Sequence, residues 1–180
     1  GSEAGMARSA RTRGDEADRI LDAALALAEE RGWRAVRLHD VAARLGLPPP
    51  AVLRHYRDLD AVADAWFGRA LAALVAPRAE SFAALPARER VETCLLAWFD
   101  ALAPHRTVTV AMLRGKLHPP HPHHWLPLPF NLSRLIHWLR EAALLPAVYG
   151  SRRAQLEEIG LTTLFLATLA HWASDESEGQ

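Results

Sequence analysis

Cationic side chains recur between residues 37 and 57, and guanidinium and imidazole groups are donors suited to phosphates and to the base edges of DNA. The candidate contact residues in this stretch, including the shorter side chains between the cations, are Arg37, Arg44, Pro49, Ala51, Leu53, Arg54, His55 and Arg57. Three more arginines, Arg8, Arg11 and Arg13, lie near the start of the chain. These side chains are candidates for contact with a duplex, provided that the chain folds so as to present them on one surface.

Two short helices are predicted to position these side chains. The apolar residues of 38–45 fall at i, i+3, i+4 and i+7, which is the spacing of one apolar helix face. Gly46 follows, where a left-handed residue commonly ends a helix. A second short helix fits 49–56, with Val52 and Tyr56 one turn apart and facing inward. Two short helices joined by a Gly-containing turn indicate a helix-turn-helix unit.

A longer amphipathic helix is predicted upstream, from Asp15 to Arg31, and Gly32 stops it. Together with a long helix from about Asp58, this arrangement resembles the TetR family of bacterial repressors over residues 15–66. The resemblance rests on Val41, Ala42, Gly46, Leu47, Val52, His55, Tyr56, Asp60 and Val62. It implies a DNA-binding domain followed by a helical domain that binds a small ligand and dimerises.

The chain departs from the pattern of that family in the turn and in the second helix. Pro48 replaces the usual Ser or Thr cap, and Pro50 replaces a small glycine. Leu53 replaces a phosphate-contacting Tyr, and Leu59 replaces a Lys. Each change removes a polar contact of the kind that fixes register on a duplex, and consecutive prolines delete backbone donors. We therefore expect DNA binding to be weak and salt-sensitive.

Charge and composition set the broad class of the protein. Residues 1–57 contain ten arginines and eight acidic residues, a net charge of +2, and the whole chain is neutral with 21 residues of each sign. This balance gives no independent support for nucleic-acid binding. No uncharged apolar stretch reaches the ~20 residues that a membrane span needs, and we expect a soluble, cytoplasmic protein. The single cysteine, Cys94, excludes an internal disulfide and is expected to be a buried thiol.

All of the sequence after residue 58 has the pattern of helices, except for a Pro- and His-rich loop at 118–129. We predict an all-α chain of eight helices with a TetR-like architecture. A disordered arm occupies 1–13, the helix-turn-helix domain 14–57, and a helical ligand-binding and dimerisation bundle 58–180.

The last helix, from about Ser151 to Ser174, is apolar on nearly every side, and such a helix must be buried all round. In a chain of this size that condition favours a homodimer. The candidate dimerisation residues are Leu161, Leu164, Phe165, Thr168, Leu169 and Trp172.

Aromatic side chains are numerous in the bundle, and few charges lie among them. They fit either a plain hydrophobic core or the walls of a cavity for an apolar or aromatic molecule. The candidate ligand-binding residues are Trp66, Trp98, Phe99, Met112, Trp125 and Trp138.

Four histidines lie within the loop at 118–129, and imidazole is a common metal ligand. The loop contains no Cys, Asp or Glu, and its prolines separate alternate side chains. A solvated loop is the favoured interpretation, and a metal site at His121, His123 and His124 is the alternative.

No phosphate-binding glycine loop, nucleophile with a base, or pair of carboxylates on one face is present in the sequence. We therefore expect neither catalytic residues nor a cofactor. The predicted function is a ligand-responsive transcriptional regulator, a repressor, whose partners are a double-stranded DNA operator, a small apolar or aromatic ligand and a second copy of the chain. The alternative is a TetR-fold accessory protein that binds a lipid or isoprenoid and has lost operator recognition. The bundle faintly resembles such proteins of ubiquinone biosynthesis.

Overall fold

The computed structural model describes residues 2–117 and 128–175, and this part of the chain contains helices and no β-strand. The helices are α1 (Ser2–Arg31), α2 (Leu38–Leu45), α3 (Pro49–Leu53), α4 (Leu59–Leu74), α5 (Ala87–Leu102), α6 (Arg106–Leu117), α7 (Leu132–Ala142) and α8 (Arg152–Ser174). Short 3-10 turns lie at Trp33–Ala35, Glu80–Ala84 and Ala103–His105. The all-α class is confirmed. No helix in the described ranges is long and apolar enough to cross a membrane.

Local signals in the sequence set most helix ends. Gly46 takes the left-handed conformation (φ 66°, ψ 27°) that ends α2, as predicted. Asp58, Asn131 and Ser151 each accept a hydrogen bond from the backbone N–H three residues later and so cap α4, α7 and α8. These caps satisfy donors that the first turn of a helix leaves unpaired.

The first helix is longer than its apolar pattern predicts, because α1 begins at Ser2 rather than near Asp15. Residues 2–14 are all exposed, so no packing holds this extension in place. The predicted disorder of 1–13 is therefore wrong for 2–13. Alanine and arginine, which recur in this segment, have high helix propensity, and the segment contains no proline to interrupt the backbone hydrogen bonds.

The loop predicted at 118–129 lies mostly outside the described residues. His121, His123, His124 and Trp125 belong to that part of the chain. Within the described ranges, no group of three or more His, Cys, Asp or Glu side chains is placed to hold a metal ion.

The centre of the bundle is a cluster of aromatic rings around Trp98, whose side chain is fully buried. The ring centroid of Trp98 lies 4.9 Å from that of Phe99 and 5.1 Å from that of Phe165, both in edge-to-face arrangements. Phe67 and Phe130 pack against the same ring at 6.0 and 5.5 Å. Edge-to-face and offset pairs are favoured beyond their burial, so this cluster joins α4, α5 and α8 firmly.

The sole cysteine lies in the same region of α5. Cys94 is fully buried, as predicted, and burial raises the pKa of its thiol. The thiol is therefore held in its protonated, unreactive form.

A chain of polar contacts connects the bundle to α1. The indole N–H of Trp66 donates to the Thr109 hydroxyl at 2.8 Å inside the core, and that hydroxyl donates to the His105 carbonyl at 2.6 Å. The His105 ring then meets Glu29 of α1 at 2.9 Å. Helices α4, α6 and α1 are thereby linked through three hydrogen bonds.

Candidate nucleic-acid interface

Helix α3 and the turn after it present one face to the core and another to solvent. Ala51, Val52 and Tyr56 are 4%, 2% and 7% exposed and pack inward. The outward face consists of Pro49, Pro50, Leu53, Arg54 and Arg57, all of which are exposed. Within α3 this division follows the helical period, since the outward positions 49, 50 and 53 are spaced i, i+1 and i+4; Arg54 and Arg57 come after the helix end.

Two side chains beyond the end of α3 bind it to α1. The Tyr56 hydroxyl donates to the Ala17 carbonyl at 2.9 Å, and the His55 ring lies 3.0 Å from the Glu16 carboxylate. Both contacts cross from the turn after α3 to the middle of α1. They fix the angle at which α3 stands on the surface.

Burial raises the pKa of the Tyr56 hydroxyl, and the negative charge of Asp18 on α1 adds to this effect. The phenol therefore stays protonated and keeps its proton for the Ala17 carbonyl.

Two of the predicted DNA contacts are directed away from the outer surface. Ala51 is buried beside Val52, because it falls on the inward side of the helical period. His55 has only 14% of its side chain exposed and faces Glu16. Both predictions are corrected: these residues position α3 rather than face a duplex.

Arg44 is held by an acidic partner. Its guanidinium forms two parallel hydrogen bonds, at 2.8 and 2.7 Å, to the carboxylate of Glu30 on α1. The same hydrogen bonds lower the pKa of the Glu30 carboxyl and raise that of Arg44. Arg31 and Asp40 form a second bridge between α1 and α2 at 3.1 Å. Arg44 is thus engaged in holding α2, although it lies at the surface.

Three of the predicted cations remain available on the outer surface. Arg37, at the N-cap of α2, is exposed, and the described residues offer its guanidinium no hydrogen bond or ion pair. The Nε of Arg54 lies 3.5 Å from the Pro50 carbonyl oxygen. The Arg57 side chain is 88% exposed, and its Nε lies 3.9 Å from the Asp58 carboxylate, which is a long distance for an ion pair.

The prolines at the start of α3 do not prevent the helix. Pro48 is the N-cap with extended backbone (φ −69°, ψ 143°), and Pro49 and Pro50 fill the first two helical positions. The Pro48 carbonyl still accepts the first bond, from Ala51 N–H at 2.9 Å. The amides lost to proline are ones that a helix leaves unpaired.

The predicted ligand-binding residues lie in two environments. Trp66, Trp98, Phe99 and Met112 are at most 5% exposed and pack in the core. Trp138 is 41% exposed on the outside of α7, so it shares no cavity with them. Trp125 lies outside the described residues.

An open-sided apolar pocket of about 710 Å³ lies beside that core instead, between α6, α8 and the segment before α7. The described residues that line it are Val110, Leu113, Arg114, Leu128, Phe130, Leu132, Leu166, Leu169, Ala170 and Ala173. None of the predicted ligand-binding residues is among them. The sequence pattern selected large aromatic side chains, and three of these, Trp66, Trp98 and Phe99, fill the interior instead of lining a space.

Helix α8 also has two faces, and the predicted dimerisation residues divide between them. Leu161, Phe165 and Leu169 are at most 8% exposed and pack against their own chain. Thr168 and Trp172 are half-buried beside them. Of the predicted set, only Leu164 is well exposed, at 45%. The prediction is corrected for the three buried residues.

The opposite face of α8 carries apolar and small residues, of which the sequence-based prediction included only Leu164. These are Leu156, Ile159, Gly160, Thr163, Leu164 and Ala167, all exposed. Leu156 and Ile159 expose 65% and 64% of their surface. The apolar character of α8 on nearly every side was the sequence signal for this face, since such a helix can bury one face in its own core and leave a second apolar face exposed.

Comparison with known proteins places the helix-turn-helix in a family. Residues 20–65 match the sequence model of the bacterial regulatory proteins of the tetR family. Among solved structures, the chain is similar to the crystal structure of the TetR transcriptional regulator from Nitrosomonas europaea ATCC 19718, with 37% identity and a TM-score of 0.75. That similarity covers 91% of this chain and 88% of the other. None of the curated proteins compared with the chain matches it.

We predict that Tyr56→Phe lowers the free energy of unfolding at pH 7 by about 0.5–1.5 kcal/mol, because one buried hydrogen bond is lost. The wild type has a further pH dependence. As pH rises above the ordinary tyrosine pKa of 10.0, the unfolded chain ionises first and the contribution of Tyr56 to stability falls. The variant lacks this component, so the difference between the two proteins narrows in alkali. Urea unfolding at neutral and alkaline pH measures both effects.

Tyr149→Phe is the matched control, since Tyr149 is 79% exposed. Equal losses at pH 7 from the two substitutions would contradict the anchoring role of Tyr56.

Proposed function

The chain belongs to the TetR family of bacterial regulatory proteins and is a DNA-binding transcription regulator, and we propose that it is a ligand-responsive repressor acting as a homodimer. The observation that carries the proposal is the anchored α3: its outward face includes exposed arginines, and the turn after it is bonded to α1 through Tyr56. A rigidly held helix with cations at its border fits the major groove of a duplex.

We assign the duplex contacts to Arg54 and Arg57 on the outward face, and to Arg37, which is exposed at the N-cap of α2. Arg54 is placed to reach a base edge or a phosphate, and Arg37 and Arg57 to meet phosphates. Arg44 has its guanidinium bonded to Glu30 and acts as a scaffold for α2. Contact with DNA would require Arg44 to give up two charge-assisted hydrogen bonds.

The exposed face of α8 supports the homodimer. Leu156, Gly160, Thr163 and Ala167 follow one another at i, i+4, i+7 and i+11, so they form a continuous stripe along the helix. Contiguous exposed apolar surface on a water-soluble domain marks an interaction site. A second copy presents the same stripe, and a two-fold axis brings the two into contact. The two α3 helices would then read half-sites separated by one helical turn, ~34 Å.

The pocket beside α6 and α8 supports ligand response. Its volume of about 710 Å³ is within the range of small-molecule sites. All of its described walls are apolar except Arg114, and an apolar or aromatic molecule fits that surface.

The same helix α6 carries both the pocket wall and the link to the DNA-binding part. Val110 lines the pocket next to Thr109, whose hydroxyl joins Trp66 of α4 and the His105 carbonyl. His105 in turn contacts Glu29 of α1. A ligand that prefers one position of α6 would therefore bias α1 and α4, and with them the spacing of the two α3 helices.

One observation favours a second function, that of a lipid- or isoprenoid-binding accessory protein. The outward face of α3 begins with prolines and carries Leu53, which is 62% exposed, where polar contacts are usual for a repressor. The apolar pocket would serve either function, so DNA binding discriminates between them.

We predict that Arg54→Ala weakens binding to an operator by about 1–3 kcal/mol if Arg54 reads a guanine, and by less if it meets only phosphate. Arg44→Ala is the matched control and should weaken binding less, because Glu30 already holds that guanidinium. Genomic selection of bound fragments supplies the duplex, and titration at two salt concentrations gives both affinities and the salt slope. If selection enriches no duplex, the repressor assignment fails and the accessory function becomes the better account.

We predict that Ile159→Glu converts the dimer to a monomer at micromolar concentration, because it places a charge on the exposed apolar face of α8, beside the stripe. The matched control is Leu96→Glu, since Leu96 is 60% exposed on α5, away from the stripe. Light scattering should give twice the chain mass for the wild type and the control. A wild type that is monomeric at these concentrations would contradict the proposal.

We predict that anilinonaphthalene sulfonate binds the apolar pocket and that Ala173→Trp, which places an indole in the pocket, weakens its fluorescence enhancement several-fold. Ala72→Trp, at an exposed position of α4, is the control and should leave the enhancement unchanged. Titrations of the three proteins under identical conditions measure the effect. Equal enhancement in all three would mean that the dye, and by extension an apolar ligand, binds elsewhere.

A further inference from the structure

The first turn of α3 exposes no polar side chain to its outward face. Pro49 and Pro50 are exposed, and Leu53, one turn later, exposes 62% of its surface. Positions 49, 50 and 53 are spaced i, i+1 and i+4, so their carbon atoms form one patch. Pro49, Pro50 and Leu53 thus form an apolar tip on α3.

The backbone of this turn offers no donor to replace the missing side chains. Pro48, Pro49 and Pro50 have no N–H, and the next amide, that of Ala51, is bonded to the Pro48 carbonyl at 2.9 Å. Base edges in the major groove meet the N-terminal residues of a recognition helix. Here those residues can make only van der Waals contact.

Charges around the apolar tip indicate what covers it. Arg54 and Arg57 lie along its C-terminal border on the same face, and Arg37 is exposed on the neighbouring α2. A carbon surface bordered by cations matches a groove with apolar groups in its floor and phosphates along its edges. The major groove has one such apolar group, the C5 methyl of thymine.

We propose that Leu53 is a specificity-determining residue that reads the methyl group of thymine, with Pro49 and Pro50 completing the contact. This inference rests on the proposed operator binding and states which chemistry the operator must present. Each half-site contains a thymine opposite the apolar tip, and Arg54 contacts the neighbouring base or phosphate. Specificity at that position comes from a methyl group and not from a hydrogen bond.

The test replaces single thymines of the selected operator with deoxyuridine, which removes the methyl and keeps every hydrogen-bonding group. At the thymine that meets the apolar tip, wild-type affinity should fall about fourfold per half-site, the factor for returning one methyl-sized group to water. Leu53→Ala should weaken binding to the thymine operator by at least as much. The same variant should discriminate the thymine and deoxyuridine operators less than about twofold, because the main group that senses the methyl is gone and only Pro49 and Pro50 remain.

Leu96→Ala is the matched control, since it makes the same change at an exposed site on α5. It should retain both wild-type affinity and the response to deoxyuridine. The inference is overturned if a selected duplex binds tightly and no thymine replacement changes wild-type affinity. That result would leave operator binding intact, whereas failure to select any duplex would overturn operator binding and the inference together.

Discussion

The packing of α2, α4 and α6 against α1 is the interaction on which the placement of the helix-turn-helix depends. The apolar face of α1 is buried from Ile20 to Ala28, and its polar residues reach out to the surrounding helices. Glu30 holds α2, Glu16 and the Ala17 carbonyl hold the end of α3, and Glu29 meets His105 before α6. Asp18 and Asp22 bind Arg69 of α4. Because most of these pairs are at the surface, each stabilises little by itself, and their effect is to orient helices that burial already brings together.

This scaffold explains why cations in the same motif differ in role. Arg44 and Arg54 are both exposed arginines, yet one faces α1 and is bonded to Glu30 while the other stands on the outward side of α3. The distinction arises because α1 presents its acidic residues only to the side of the motif that packs against it, which is the side of Arg44. A residue is available for DNA only where α1 does not already supply a carboxylate. The outward surface is consequently small, and the apolar tip makes up a large part of it.

Helices α3 and α8 illustrate one physical rule. Each buries a stripe of about half its circumference in its own chain and leaves the other half exposed. In α8 the exposed half is apolar and suits a second helix of the same kind, whereas in α3 it is apolar at the tip and cationic at the border. The apolar pocket lies at the boundary between the buried and the exposed faces of α8. Leu169 of the buried face and Leu166 of the exposed face both line it.

The amino-acid sequence by itself determined the all-α class, the helix-turn-helix with its left-handed Gly46, and most helix bounds, because periodicity, caps and prolines act within a few residues of one another. It also identified Arg37, Arg54 and Arg57 as exposed cations. Only the tertiary structure decided that Ala51 is buried and that His55 faces Glu16 of α1. It also decided that Leu161, Phe165 and Leu169 belong to the core of their own chain, and that Trp66, Trp98 and Phe99 fill the interior beside the pocket. Those outcomes depend on which side of a helix meets a neighbour distant in sequence. A helix that is apolar on both sides does not specify which side faces the core, because burying either side is equally favourable until the neighbouring helices are in place.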